Sequence, residues 1–197
     1  MSLPFSQACE NNKAPILEIL RRIFGESEHV LEIGSGTAQH AHYFAPLLPH
    51  LIWQTSDVEE NLADIKRWLN TCEVEQPKPL LLNMLNPVWP DNYDAVFSAN
   101  TAHIMSWSLT EKMIRHVGEN LPEDGKFVLY GPFNYDGAFT SESNERFEQW
   151  LKSVSLERGI RDFEKVNACA QNAGMELLED NAMPANNRTL VWKKLGS

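Results

Sequence analysis

The chain has 197 residues, 43% of them hydrophobic, with six Trp and nine Phe, which suits one domain with a full core and leaves little room for a second. Seventeen basic against 27 acidic residues give a formal net charge of −10, which argues against the basic face of a nucleic-acid modifier and for a small-molecule or protein partner. The three cysteines, Cys9, Cys72 and Cys169, show no CxxC pair or metal-ligand spacing, and no apolar run approaches bilayer length, so the expectation is a cytoplasmic protein with reduced thiols, no metal and no membrane partner.

In chain order, residues 1–14 show no clear period and are expected as an N-terminal arm over the pocket, the whole of 1–197 being a single domain. From Pro15 onward, Ile16, Ile19, Leu20 and Ile23 fall on one helical face, with Pro15 suited to the first turn and Gly25 to the stop. Residues 30–33 read as a strand that runs into Gly34-Ser35-Gly36. Ala38, Ala41, Phe44 and Ala45 form a short helical stripe ended by Pro46 and Pro49. Residues 51–56 are a second strand delivering Asp57. Leu62, Ile65, Leu69 and Cys72 mark an amphipathic helix, and residues 79–82 a short buried strand ending in Asn83-Met84. A fourth strand at 94–98 leads to Asn100 and His103. A helix with Leu109, Met113, Ile114 and Val117 on one face precedes a fifth strand at 126–130.

The connection 131–144 is long and holds Phe133, Tyr135 and Phe139, and a loop of that length inside a compact domain is usually functional or disordered. Phe147, Trp150, Leu151 and Val154 mark a further helix. Another is expected from Asp162, as its cap, to Gly174, just past its end. Residues 175–179 and 189–193 close the chain as two strands about a turn with Pro184 and Asn186-Asn187. Alternating strands and helices of this length predict an α/β fold, a parallel sheet covered on both faces.

The glycine turn carries the most specific signal. In an open α/β sheet a strand-to-helix turn lies at the carboxyl edge, beside a crevice for a ligand, and glycine can take φ > 0 and admit a ligand close to the backbone. A dinucleotide fingerprint needs a third glycine where this chain has Gln39, which weighs against a nicotinamide-dependent oxidoreductase. Instead Glu32 gives Glu-x-Gly-x-Gly, and Asp57 follows at the end of the second strand. In these residues the sequence resembles the class I S-adenosylmethionine-dependent methyltransferases, whose first motif has an acid ahead of GxG and a ribose-binding acid after the next strand. Ala38 departs from the third glycine that many members carry. Beyond this motif, the start at Asn12 and the words at Gly131, Gly159 and Pro184 make nearly the whole chain similar to an uncharacterised family of methyltransferase-like proteins of bacteria and animals. The resemblance implies a Rossmann-like, seven-stranded, mostly parallel sheet with an antiparallel C-terminal strand.

The same resemblance implies S-adenosylmethionine as cofactor and assigns its contacts. The backbone of Gly34, Ser35 and Gly36 would meet it, Glu32 would hold the turn and its charged end, and Asp57 would take the ribose. Asn83 and Met84 would lie at the adenine and Asn100 near the methionine part. The plainer readings stay open: an ordinary turn for the glycines, a helix cap for Asp57, a turn asparagine at position 83. His103 is the candidate proton acceptor, since an imidazole titrates near neutrality, with loop anchoring as an equal alternative. Tyr135 is the second candidate. The other histidines read as structural. The acceptor pocket has three candidate segments, Asn11-Asn12-Lys13, 131–135 and 184–188. The function expected is methyl transfer to a small polar acceptor. The alternative is a non-catalytic cofactor-binding or protein-interaction module, and the oligomeric state is left open.

Overall fold

The computed structural model describes residues 3–196; residues 1, 2 and 197 of the expected arm and domain lie outside them. The chain forms two compact units, one ending at Ser98 and the other starting at Ala99. In the first, α1 (Gln7–Ile23) leads to β1 (His29–Ile33), α2 (Gln39–Phe44), β2 (Ile52–Asp57), α3 (Glu59–Leu69), β3 (Leu80–Leu81) and β4 (Ala95–Ala99). Strand order is β3-β2-β1-β4, with parallel pairing of β1 to β2 and β4 and of β2 to β3.

Helix α1 begins eight residues before the expected Pro15. Ser6 caps it by accepting the Cys9 N–H, and Pro15 lies inside, so Asn11, four residues back, receives no helix bond from it. Residues 7–14 of the expected arm are therefore helical. The remaining residues, 3–6, run between α3 and α2: the Trp68 indole N–H donates to the Pro4 carbonyl at 2.7 Å, and the Ser6 N–H donates to Gln39 Oε1. Behind the sheet strands lies an aromatic core of Phe44, Trp53 and Phe97, with ring centroids 5.3–5.8 Å apart in tilted and edge-on pairs, each adding about 1 kcal/mol beyond area burial. His40 joins it, stacked on Phe44 at 5.4 Å, and its Nε2 pairs with Asn12 Oδ1 at 2.7 Å. Burial and then Lys13 push His40 down to about 4, so it stays neutral in the core, the structural role expected of it.

The second unit holds α4 (Trp107–Asn120), β5 (Lys126–Gly131), β6 (Phe133–Asn134), α5 (Glu142–Val154), β7 (Arg161–Asp162), α6 (Phe163–Asn172), β8 (Met175–Met183) and β9 (Asn187–Lys194). The order β5-β9-β8 is antiparallel throughout, β9 running against both neighbours. With β1–β4 these strands make the expected seven-stranded, mostly parallel sheet with an antiparallel C-terminal strand. The loop expected at 131–144 is shorter than it read. Its first residues pair as β6 with β7, and Asp136-Gly137, both at positive φ, make a tight turn closed by Tyr135 and Ala138. Asp162 stands at the N-cap of α6 but its side chain does not cap; it pairs with Lys165 at 2.8 Å. Against β5 and β9, Phe127 stacks on Trp192 at 5.4 Å, and Gly118 of α4 lies so close to Ala173 that a methyl there would overlap the Ala173 carbonyl. No helix of the described residues is long and apolar enough to cross a membrane.

Candidate functional site

The glycine turn is pinned to the end of β2. The N–H groups of Gly34 and Ser35 both donate to the Ser56 carbonyl at 3.0 Å, and the Gly36 N–H donates to Asp57 Oδ2 at 2.7 Å. Gly34 and Gly36 have φ of 72° and 56°, in the left-handed region that glycine enters at least cost. An added Cβ at Gly36 would meet nothing within 4 Å, which means the backbone there faces open space. Ala38 takes the left-handed conformation that a third glycine would take, with φ of 62°, and its methyl is fully buried.

Glu32 sits beneath this turn, 2% exposed. Its Oε2 accepts from Ser35 Oγ at 3.0 Å and from the Trp53 indole N–H at 3.1 Å. Burial raises its carboxyl to about 7, the two hydrogen bonds opposing and the Asp57 charge adding to the rise. A carboxylate held at this threshold is suited to a cationic ligand group, which would favour its ionised form. Ser35 also accepts the Ser56 N–H at 3.1 Å, so one hydroxyl joins Glu32 to β2.

Asp57 is nearly filled by protein donors. Oδ1 accepts from the Val58 N–H at 2.7 Å and Asn61 Nδ2 at 2.9 Å, which fixes the start of α3, while among the described residues Oδ2 carries only the Gly36 N–H. One lone pair of Oδ2 is thus left for a hydroxyl. Asn83 takes the turn geometry, its Oδ1 accepting the Leu85 N–H at 2.9 Å, and Met84 beside it is buried. Asn83 also lines a cavity of about 360 Å³ with Glu59, Glu60, Leu81 and Val88.

In the second unit Asn100 has φ of 57° and donates its N–H to the Tyr130 carbonyl at 2.9 Å. His103 lies in the loop before α4, 6% exposed, edge-on to Phe147 at 5.3 Å. Burial first, then the charges of Arg161 and Arg158, push its imidazole down to about 4. It is therefore a neutral base at physiological pH. Tyr135 is set against a base role: its hydroxyl donates to Asp180 Oδ2 at 2.8 Å, and burial and that carboxylate raise its ionisation well above the ordinary phenol range. Phe163 stacks on Tyr135 at 5.1 Å, and Arg188, bound to Asp180 at 2.7 Å, lies over its ring.

Of the three segments expected to build an acceptor pocket, two spend their polar side chains at home. Asn12 serves His40, Lys13 pairs with Glu10 and lies over Tyr43, and the Asn186 and Asn187 amides bind Ser143 and Pro184. In the third, Asn134 is 8% exposed and its Oδ1 is buried without a partner. Sequence reasoning passed over Trp53, Asn61, Asp180 and Arg161 as site residues. Only Arg161 stood in a noted word, at Gly159, and that word carried no chemistry.

The seven-stranded fold is shared with solved structures of S-adenosylmethionine-dependent methyltransferases. An O-methyltransferase family 2 protein from Planctomyces limnophilus, solved with apigenin, matches with a TM-score of 0.84 at 13% identity over 95% of this chain and 58% of that one. The methyltransferase SibL in its apo form gives 0.78 at 16% over 96% and 56%. Human N-acetylserotonin methyltransferase in complex with S-adenosylmethionine gives 0.73 at 12% over 96% and 58%. This chain spans little more than half the length of each. Over residues 3–194 it matches the family described as protein of unknown function DUF938, and it belongs to that family.

Proposed function

We propose that this protein is an S-adenosylmethionine-dependent methyltransferase acting on a small polar acceptor. The observation that carries the reading is the turn at Gly34-Ser35-Gly36, open to solvent at Gly36 and underlain by the buried, threshold carboxyl of Glu32. These residues fit the cofactor. Glu32 and the turn would take its charged amino-acid end, Oδ2 of Asp57 a ribose hydroxyl, Asn83 and Met84 the adenine, and Asn100 the methionine part. When bound, S-adenosylmethionine supplies a methyl group on a sulfonium, a good leaving group that needs little acid or base help. His103, neutral and with no ring hydrogen bond among the described residues, is assigned to take the acceptor's proton where the acceptor is a hydroxyl or amine. Tyr135, whose proton is committed to Asp180, is assigned to shape the acceptor site instead.

Isothermal titration calorimetry with S-adenosylmethionine, S-adenosylhomocysteine and, as competitor, NAD tests the cofactor. Micromolar binding of the first two that weakens tenfold or more in Asp57→Ala is expected, and a protein that binds neither sinks the reading. The second reading is a module that binds cofactor or a protein without catalysis. It is favoured by the two expected acceptor segments, 11–13 and 184–188, whose polar side chains bind within the chain. Tight cofactor binding with no labelled methyl transferred to any of a panel of hydroxyl and amine acceptors would support it.

A further inference from the structure

His103 stands in a loop without helix or strand pairing of its own, yet its imidazole is buried. Its ring nitrogens make no hydrogen bond among the described residues, so apart from the edge-on Phe147 ring the polar contacts that hold it act on the backbone. On one side the His103 carbonyl accepts the Gly159 N–H at 3.0 Å. One side chain spans both sides of it: Arg161 Nε donates to the Ala102 carbonyl at 2.9 Å, which also accepts from the Thr110 hydroxyl at 3.0 Å, and Nη2 donates to the carbonyls of Met105 and, at 3.0 Å, Glu157. Arg161 is 9% exposed, and among the described residues no carboxylate forms an ion pair with it. A buried guanidinium whose hydrogen bonds all go to neutral carbonyls has no contacting counter-charge, an arrangement that costs desolvation.

We propose that Arg161 is the positioning residue for His103, clamping the carbonyls that flank it and presenting to its ring a positive charge that no carboxylate contacts. The proposal rests on the reading of His103 as proton acceptor. The clamp fixes the ring's direction, which matters because misplacing a reacting group by about 1 Å costs about 100-fold in rate. The charge has the right sign for a base that must stand unprotonated before the reaction, and Arg161 is the larger of the two cationic influences that lower His103, after burial. The other groups facing this ring are Arg158, in the segment before β7, Phe147 of α5, which is uncharged, and Gly131 of β5. Glu148 of α5, which binds the Ile160 N–H at 2.6 Å, and Asp162 of β7 act on Arg161 from longer range.

The test is an NMR pH titration of the His103 Cε1–H resonance, assigned by its disappearance in His103→Gln, in wild type, Arg161→Gln and Arg161→Lys. Wild type should titrate only near about pH 4. Arg161→Gln should move that midpoint up toward the ordinary imidazole value. An unmoved midpoint in a folded Arg161→Gln protein overturns the proposal. If that variant does not fold, Arg161→Lys decides, because it keeps the charge and loses the fork: a midpoint near wild type with a broadened ring resonance is expected, and a resonance as sharp as wild type overturns the clamp. In turnover, both variants should lose about 10- to 100-fold in kcat with calorimetric S-adenosylmethionine affinity unchanged. A fully active His103→Gln would instead defeat the base reading of His103, and the titration would still report on Arg161.

Discussion

The Glu32 carboxyl makes a pH-dependent contribution to stability whose sign can be worked out. In the unfolded chain it ionises at its ordinary value of 4.5, and in the folded protein only at about 7, so the native state binds the proton more tightly. Stability therefore falls as pH rises from 4.5 to 7 and is flat with respect to this group on either side. The loss approaches about 3 kcal/mol above pH 7, at roughly 1.4 kcal/mol per unit. Glu32→Gln should remove that slope, seen as a urea midpoint that gains on wild type between pH 5 and pH 8 while the cofactor affinity drops. The orphaned Oδ1 of Asn134 gives a second prediction. A buried acceptor without a donor costs about 1–3 kcal/mol, so Asn134→Leu should raise stability by about 1 kcal/mol in urea and at the same time abolish acceptor turnover. If Asn134→Leu is stabler and equally active, Asn134 has no part in binding. Legibility at this scale followed sequence locality. Glu32 and the glycines announce themselves within five positions. The commitment of Tyr135 to Asp180 joins residues 45 apart, and the grip of Arg161 on Ala102 joins residues 59 apart, separations that no local pattern encodes.

Among the elements, α4 and α6 pack at the distance of a missing side chain. Gly118→Ala should destabilise by about 1–3 kcal/mol despite a gain of about 1 kcal/mol in helix propensity, because the new methyl meets the Ala173 backbone rather than a side chain that can swing away. A lower Tm with unchanged far-UV circular dichroism is the expected result. Hydrophobic period located the cores of α1 to α5 and the long strands, and the residues at its two ends marked α6. It misjudged α1, since Gln7, Glu10 and Asn11 are solvent-facing and give no apolar signal, and Pro15 looked like a start when Ser6 already supplies the cap. It also missed β6 and β7, two residues each, whose pairing depends wholly on their being brought together.

For the molecule as a whole, the parallel-sheet architecture was legible because the strand-helix alternation recurs along the chain, and several repetitions of a weak signal make a strong one. The acceptor was not, because the candidate segments meet their partners through turns and side-chain amides that read alike whether or not they bind anything. Net charge yields a prediction at this scale. With −10 overall and basic residues largely tied into ion pairs such as Arg21 with Glu18 and Arg188 with Asp180, the protein should not retard duplex DNA or RNA in a gel at about 0.15 M salt. Retardation would show that a local basic surface outweighs the total.

The indole of Trp53 donates its N–H to Glu32, and this gives the protein an optical indicator wired to its own candidate site. An indole whose hydrogen-bond acceptor changes from acid to anion shifts its near-ultraviolet absorption, so second-derivative spectra should register ionisation of Glu32 near neutral pH and should respond again when a ligand cation draws that proton away. Trp53→Phe would silence the signal while the other five tryptophans continued to report only on folding. Ligand screening on this chain could then proceed by light alone, with no label and no knowledge of the acceptor.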